Sequence, residues 1–319
     1  MSTYDIFNGD ADGLFALHQL RLHDPRDAIL VSGAKREIRL VERVQAKVGD
    51  RLTVLDISMN ENRDALMRAL SAGAFCVYFD HHYPGDILRH ERLETHIHYA
   101  ADTCTSAIVD GYLAGRYRSW AVAAAFGDNI PSLATRLGQS MNLSEGQLKA
   151  LDELGRLVNY NAYGSRVEEL HLDPIALYRR IRPYVDPLEF VARDPAFSQL
   201  KGGYHLDLAL AREVKPVLET PHHLAIVLPD AAWSRRISGA FANQLAQEQP
   251  RRAIAVAVPQ AEVYGVSIRA PLIRPTGADV LARGFASGGG RPGAAGINRL
   301  EPADLTRFFE EFRRSFATP

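Results

Sequence analysis

Short apolar runs rich in β-branched and aromatic residues recur early in the chain: "YDIF" (4–7), "AILVS" (28–32), "LTVL" (52–55) and "FCVYF" (75–79). Runs of this length and composition predict β-strands. The stretches between them carry apolar residues at helical spacing. Leu14, Leu17 and Leu20 mark a helix over 13–23. Leu40, Val41, Val44 and Val48 mark one over 36–48, and Leu66, Ala69 and Leu70 one over 60–72. Asn60 is the expected N-cap of the third, and Gly73 its stop. Apolar strands that alternate with helices predict a parallel sheet covered on both faces.

Two more helices follow, over 104–115 and 119–128. Residues 136–220 read as a helical connector. A second α/β pattern then begins, with strands at 223–228, 253–258 and 263–270 and helices at 234–248 and 276–286, the last capped by Thr276. The two prolines of "KPVLETPHH" mark the boundary. The expected division is 1–135, 136–220 and 221–319, in line with roughly 100–200 residues per domain.

Composition is that of a globular protein, with 46% hydrophobic and 24% charged residues. A formal net charge of −1 supplies no global basic field for long duplex DNA or a membrane surface. Cys76 and Cys104 form neither a CxxC pair nor a disulfide framework, and Cys76 lies in an apolar run expected to be core. No signal-peptide pattern and no membrane-length apolar run is present, so a cytoplasmic location is expected.

Acidic residues change the picture. Asp10 and Asp12 follow the first strand, Asp56 the third, and Asp80 the fourth, with His81 and His82 beside it; Asp128 ends a later helix. Parallel strands deliver all such residues to one carboxyl edge, where ligands bind. A lone aspartate after a strand is ordinarily a cap or turn residue. Several at successive strand ends would repel one another, and a divalent cation offsets that repulsion. Oxygen donors with imidazole suit Mn²⁺, Co²⁺ or Mg²⁺. "NGDADG" opens like a calcium loop, but Leu14, Ala16 and Gln19 occupy its later ligand positions, so Gly13 reads as a strand-to-helix turn. "SGGGRPGAAG" lacks the preceding strand of a dinucleotide fold and reads as an anion-binding backbone loop.

"NGDADG", "LTVLD", "YFDHH", "FGDN" and "GGGRPGAAG", in this order, resemble the DHH phosphoesterase superfamily, in its two-domain branch with a DHH-associated C-terminal domain. The resemblance implies an α/β fold: an N-terminal parallel-sheet DHH domain, a helical connector and a smaller C-terminal α/β domain. It implies two divalent ions, Mn²⁺ foremost, with Asp10 on the first, Asp12 on the second and Asp56 bridging. His81 and Asp128 would complete the ligands of the second ion, Asp80 would orient His81, and His82 would face the scissile phosphate. Arg269, Gly288, Gly289, Gly290 and Arg291 would bind substrate. Two positions depart from the family pattern. Ile6 stands where many relatives have a ligating His, leaving Asn8 as the nearby oxygen donor. Arg291 replaces the usual His of the Gly-rich motif. The implied activity is hydrolysis of phosphodiester bonds in short oligonucleotides or small phospho- or cyclic nucleotides. A polyphosphatase and a non-catalytic nucleotide sensor are the alternatives, and a homodimer stays open.

Overall fold

A computed structural model describes residues 1–317. Chain contacts divide it into two units, Met1–Gly202 and Gly203–Pro319.

In the first unit the predicted strands form β1 (Thr3–Phe7), β2 (Ile29–Val31), β3 (Arg51–Leu55) and β4 (Phe75–Asp80), joined by β5 (Leu93–Ile97). Every pairing is parallel, and the spatial order is β2-β1-β3-β4-β5. The chain reverses direction across the sheet between β1 and β3. A parallel sheet opens its ligand crevice at such a switch point, beyond the carboxyl ends of the strands. Helix α1 (Ala11–His23) leaves β1 directly, and α2 (Met59–Ser71) links β3 to β4. On one face Ile6, Val54, Cys76 and Tyr78 pack with Leu66 and Leu70 of α2 in a buried core. Then come α3 (Thr105–Tyr112), α4 (Arg118–Gly127), α5 (Pro131–Ser140), α6 (Glu145–Asn161), α7 (Pro174–Ile181), α8 (Pro187–Arg193) and α9 (Pro195–Arg212), which runs from the first unit into the second.

The second unit holds β6 (Leu218–Glu219), β7 (His223–Val227), α10 (Ala232–Glu248), β8 (Ala253–Gln260), β9 (Val263–Arg269), α11 (Ala278–Arg283), β10 (Gly288–Arg291), β11 (Ala294–Leu300) and α12 (Leu305–Ser315). Its sheet order is β10-β11-β9-β8-β7-β6, parallel only between β7 and β8. Phe308, Phe312 and Phe316, four residues apart, bury one side of the C-terminal segment in this unit's own core.

Four local expectations are corrected. Residues 36–48 do not form an α-helix; only a short 3₁₀ turn, Leu40–Arg43, is regular. Asn62 of α2 supplies the missing backbone partners, accepting from the Val41 amide at 3.2 Å and donating to the Ile38 carbonyl at 2.7 Å. Ser58, not Asn60, occupies the N-cap position of α2. Gly277, at φ 98°, replaces Thr276 as the residue before α11. The glycine-rich stretch is a strand rather than an open loop. A side chain at Gly288 would lie 1.7 Å from the Ala282 carbonyl oxygen, so its glycine admits the backbone of α11.

Candidate metal centre

"NGDADG" is the turn from β1 into α1. Asp10 caps the helix, its Oδ1 accepting from the Asp12 and Gly13 amides at 3.1 Å each. A side chain at Gly13 would lie 2.3 Å from the Asn8 carbonyl oxygen, so only glycine closes the turn. Asn8 Oδ1 accepts from the Asp10 amide at 3.3 Å. The cap role and the charge role therefore coexist in Asp10.

Asp12 points to the start of α3. Its two carboxylate oxygens accept from the Thr105 amide (2.6 Å) and the Ser106 amide (2.7 Å). Exposed amides and the helix dipole favour a negative group there. Asp56 follows β3 in a left-handed conformation, φ 60°, uncommon outside glycine. Its amide donates to the Phe79 carbonyl at 3.0 Å, and its Oδ1 accepts from the Thr105 hydroxyl at 3.0 Å.

β4 delivers Asp80, His81 and His82. His81 Nδ1 lies 3.1 Å from the Thr103 carbonyl oxygen. A carbonyl can only accept, so Nδ1 carries a proton, which leaves Nε2 as the ring nitrogen that can take an ion. Nε2 faces Asp56 and Asp128 at 3.4 Å each and Asp12 at 3.9 Å. The expectation that Asp80 orients His81 is corrected. Asp80 Oδ1 accepts from His82 Nδ1 at 2.8 Å, and its Oδ2 is buried with no hydrogen-bond partner among the described residues.

Lys35, just past β2, was missed by sequence reasoning. Its Nζ lies 2.5 Å from Asp10 Oδ2, 2.9 Å from Asn159 Oδ1 and 3.6 Å from Asp128 Oδ1. Its only sequence signal was its place beyond a parallel strand, the rule that singled out the aspartates. Thr105 and Ser106 were missed too; they sit at a helix start whose partner, Asp12, is distant in sequence.

Electrostatics follow from this packing. Burial pushes the Asp56 carboxyl well above the usual carboxylate range, and the Asp12, Asp10, Asp128 and Asp80 charges push it further. Burial also leads the rise of Asp128, to about 6; Lys35 pulls it down while Asp12 and Asp10 push it up. Asp10 goes the other way, to about 2, because the Lys35 ammonium more than offsets the effect of burial. His82 rises: burial opposes its charging, and the Asp80 bond outweighs burial.

Two overlapping donor sets could hold an ion, their ligand atoms within 4.8 Å of one another: Asp56, His81 and His82, and Asp12, His81 and Asp128. Both contain His81. Carboxylates that share a site with too few positive charges, beside an imidazole whose Nε2 is turned inward, fit a divalent ion bound by oxygen and nitrogen.

The other expected residues lie in the second unit. The Arg269 guanidinium bonds to Asn243 Oδ1 (2.5 Å), the Ile268 carbonyl (2.8 Å) and the Gly239 carbonyl (3.3 Å), so the residues around it on α10 fix its direction. Gly288, Gly289, Gly290 and Arg291 make up β10, the edge strand paired with β11. Trp120 is fully buried and donates to the Val185 carbonyl at 2.8 Å, so it belongs to the core of the first unit.

Known proteins share this architecture. A family model described as the DHHA1 domain matches residues 222–318. No protein among those with curated descriptions matches the chain. Solved structures share the fold at low identity. The exonuclease RecJ bound to manganese is 16% identical, with a TM-score of 0.60, over 100% of this chain and 91% of that one. RecJ in complex with Mn²⁺ from Thermus thermophilus is 15% identical, with a TM-score of 0.65, over 100% and 52%. The pGpG-specific phosphodiesterase PggH from Vibrio cholerae is 11% identical, with a TM-score of 0.53, over 100% of both chains. Residues 222–318 thus match the DHHA1 domain, and the chain as a whole is similar in fold to these solved structures.

Proposed function

We propose that the chain is a divalent-metal-dependent phosphoesterase that hydrolyses phosphodiester bonds in short oligonucleotides or in small phospho- or cyclic nucleotides. The observation that carries this reading is His81 Nε2, which faces Asp12, Asp56 and Asp128 at 3.4–3.9 Å. Those residues would hold the ion. Mn²⁺ is the first to test, since the RecJ structures with this fold contain it. A bound divalent ion supplies two things: a water nucleophile formed near neutral pH and charge to offset the phosphoryl oxygens.

The chain's own residues do the rest. The Thr103 carbonyl fixes the His81 tautomer, and the Thr105 hydroxyl holds one Asp56 oxygen in place. Asp80 holds the partly exposed His82 ring and favours its charged form, so His82 can meet a phosphoryl or leaving oxygen as a cation or proton donor. Near-neutral net charge and the pGpG specificity of PggH favour a short substrate over a long duplex.

The test is hydrolysis of pAp, linear and cyclic dinucleotides and polyphosphate with Mn²⁺, Co²⁺ and Mg²⁺. Asp56→Asn tolerates the positive φ and removes the shared carboxylate charge. It should reduce Mn²⁺-dependent turnover by about a hundred-fold or more, the scale of losing one preorganised electrostatic group, with an unchanged circular dichroism spectrum. Full activity in this variant would overturn the assignment. Turnover of polyphosphate alone would move the substrate to phosphoanhydrides.

A further inference from the structure

We propose that the Lys35 ammonium takes the place of one of the two divalent ions expected of the fold, leaving a one-ion centre around His81 with a built-in protein cation at Asp10. The inference rests on the metal-dependent reading above and deepens it.

Four observations carry it. The first is contact. Lys35 Nζ sits against Asp10 Oδ2 at 2.5 Å and reaches Asp128 Oδ1 at 3.6 Å, where an ion bound by Asp10 would have to lie. Second, the lysine is held along its length. Its amide donates to the Ala162 carbonyl at 2.9 Å, its carbonyl accepts from Asn8 Nδ2 at 3.5 Å, Nζ donates to Asn159 Oδ1 at 2.9 Å, and the Tyr163 ring lies 5.3 Å from Nζ. A side chain anchored this way is part of the site, not a surface lysine swinging into it. Third, the positions around the end of β1 are apolar or already hydrogen-bonded. Ile6 is fully buried in the apolar core on the α2 side of the sheet, and Asn8 spends its amide on the Lys35 carbonyl and its oxygen on the Asp10 amide. Fourth, both candidate donor sets contain His81 and neither contains Asp10.

Crowding leads to the same count. With two ions beside the ammonium, two cations would lie against Asp10, which already holds Lys35. Like charges at such separation oppose each other's binding. The lysine supplies the positive charge without depending on metal supply. It is a positioning residue, acting through Asp10 and Asp128.

The test is metal stoichiometry by calorimetric titration of the metal-free chain with Mn²⁺, together with the electron paramagnetic resonance spectrum of the loaded protein. Wild type should bind one Mn²⁺ with the spectrum of an isolated ion. Lys35→Arg keeps the charge and should also bind one. Lys35→Met keeps the length and removes the charge, so a second Mn²⁺ should enter, with a spin-coupled spectrum. Two tightly bound, coupled ions in wild type would overturn the inference and leave the phosphoesterase reading standing. So would a Lys35→Met protein that still takes only one. No Mn²⁺ in any variant would overturn both. The wild-type count decides even if Lys35→Met does not fold.

Discussion

Three histidines in the first unit are held differently by their surroundings. His81 has its proton fixed on Nδ1 by a carbonyl. His82 is drawn toward its charged form by the Asp80 carboxylate. His18 is kept neutral. Its Nε2 donates to the Tyr184 carbonyl at 2.7 Å, and its ring lies edge-on to Trp120 with centroids 4.6 Å apart. Burial drives its pKa from 6.5 down to about 4, against the raising effect of the Tyr184 bond. In the unfolded chain His18 regains its ordinary value, so between these two pKa values the unfolded state binds more protons. Stability from this residue is complete above about pH 6.5 and is lost as pH falls toward 4, amounting to about 3 kcal/mol at about 1.4 kcal/mol per unit. His18→Gln removes the titration and keeps a donor. Urea denaturation at pH 7 and pH 4 should therefore show a smaller acid loss in the variant than in wild type. Equal losses would mean that His18 accepts its proton in the folded state.

The elements carry the site through close backbone packing. In α6, a methyl group at Gly155 would lie 2.0 Å from the Ala123 carbonyl oxygen and 2.8 Å from the Gly127 amide nitrogen, both in α4. Gly127 in turn lies against Ala11 of α1, where an added methyl would sit 2.7 Å from the Ala11 side chain. Backbone atoms cannot swing aside, so Gly155→Ala must push α4 and α6 apart. Asp128 caps the end of α4 and would move with it. The variant should lose about 2 kcal/mol or more, the cost of overpacking, and bind Mn²⁺ more weakly. Gly146→Ala in the same helix meets nothing within 4 Å and should gain about 0.5–1 kcal/mol. Thermal melts of the two variants check both signs. The sequence made β1 to β4 plain because each is a run rich in β-branched and aromatic residues, whereas β5, with Glu94 and His96 in it, is not. It also put Asp10, Asp12, Asp56 and Asp80 on one edge, because each follows such a run. It failed where the deciding partner is remote. Residues 36–48 have helical spacing, but Asn62 satisfies their backbone from another element. Lys35 follows a strand too, yet a lysine is no metal ligand by type, and Asp128 and Asn159 are far away in sequence. The Asp80–His82 pairing had a local signal that went unused. Residues two apart share a side in an extended chain, which separates both from His81.

The two units of the molecule have separate cores and different sheets, one wholly parallel and one mixed. Every residue of the two candidate donor sets belongs to Met1–Gly202. An ion that binds only the folded form of the first unit stabilises that unit by mass action, by about 2.7 kcal/mol at a free concentration a hundred times its Kd. Amides that exchange only when the first unit unfolds should then slow by about a hundred-fold on Mn²⁺ addition, by the same relation. The slowing should be clear in β1, β3 and β4, which feed the centre from the core of their sheet. Amides of β8 and β9, central in the other sheet, should keep their rates, because nothing in their own unit changes with the ion. Hydrogen exchange followed by mass spectrometry resolves the two groups. Equal slowing in β8 and β9 would mean that the units unfold together, with α9, which runs through both, as the element that couples them. Slowing in neither group, with Mn²⁺ in excess, would remove the metal centre from the first unit.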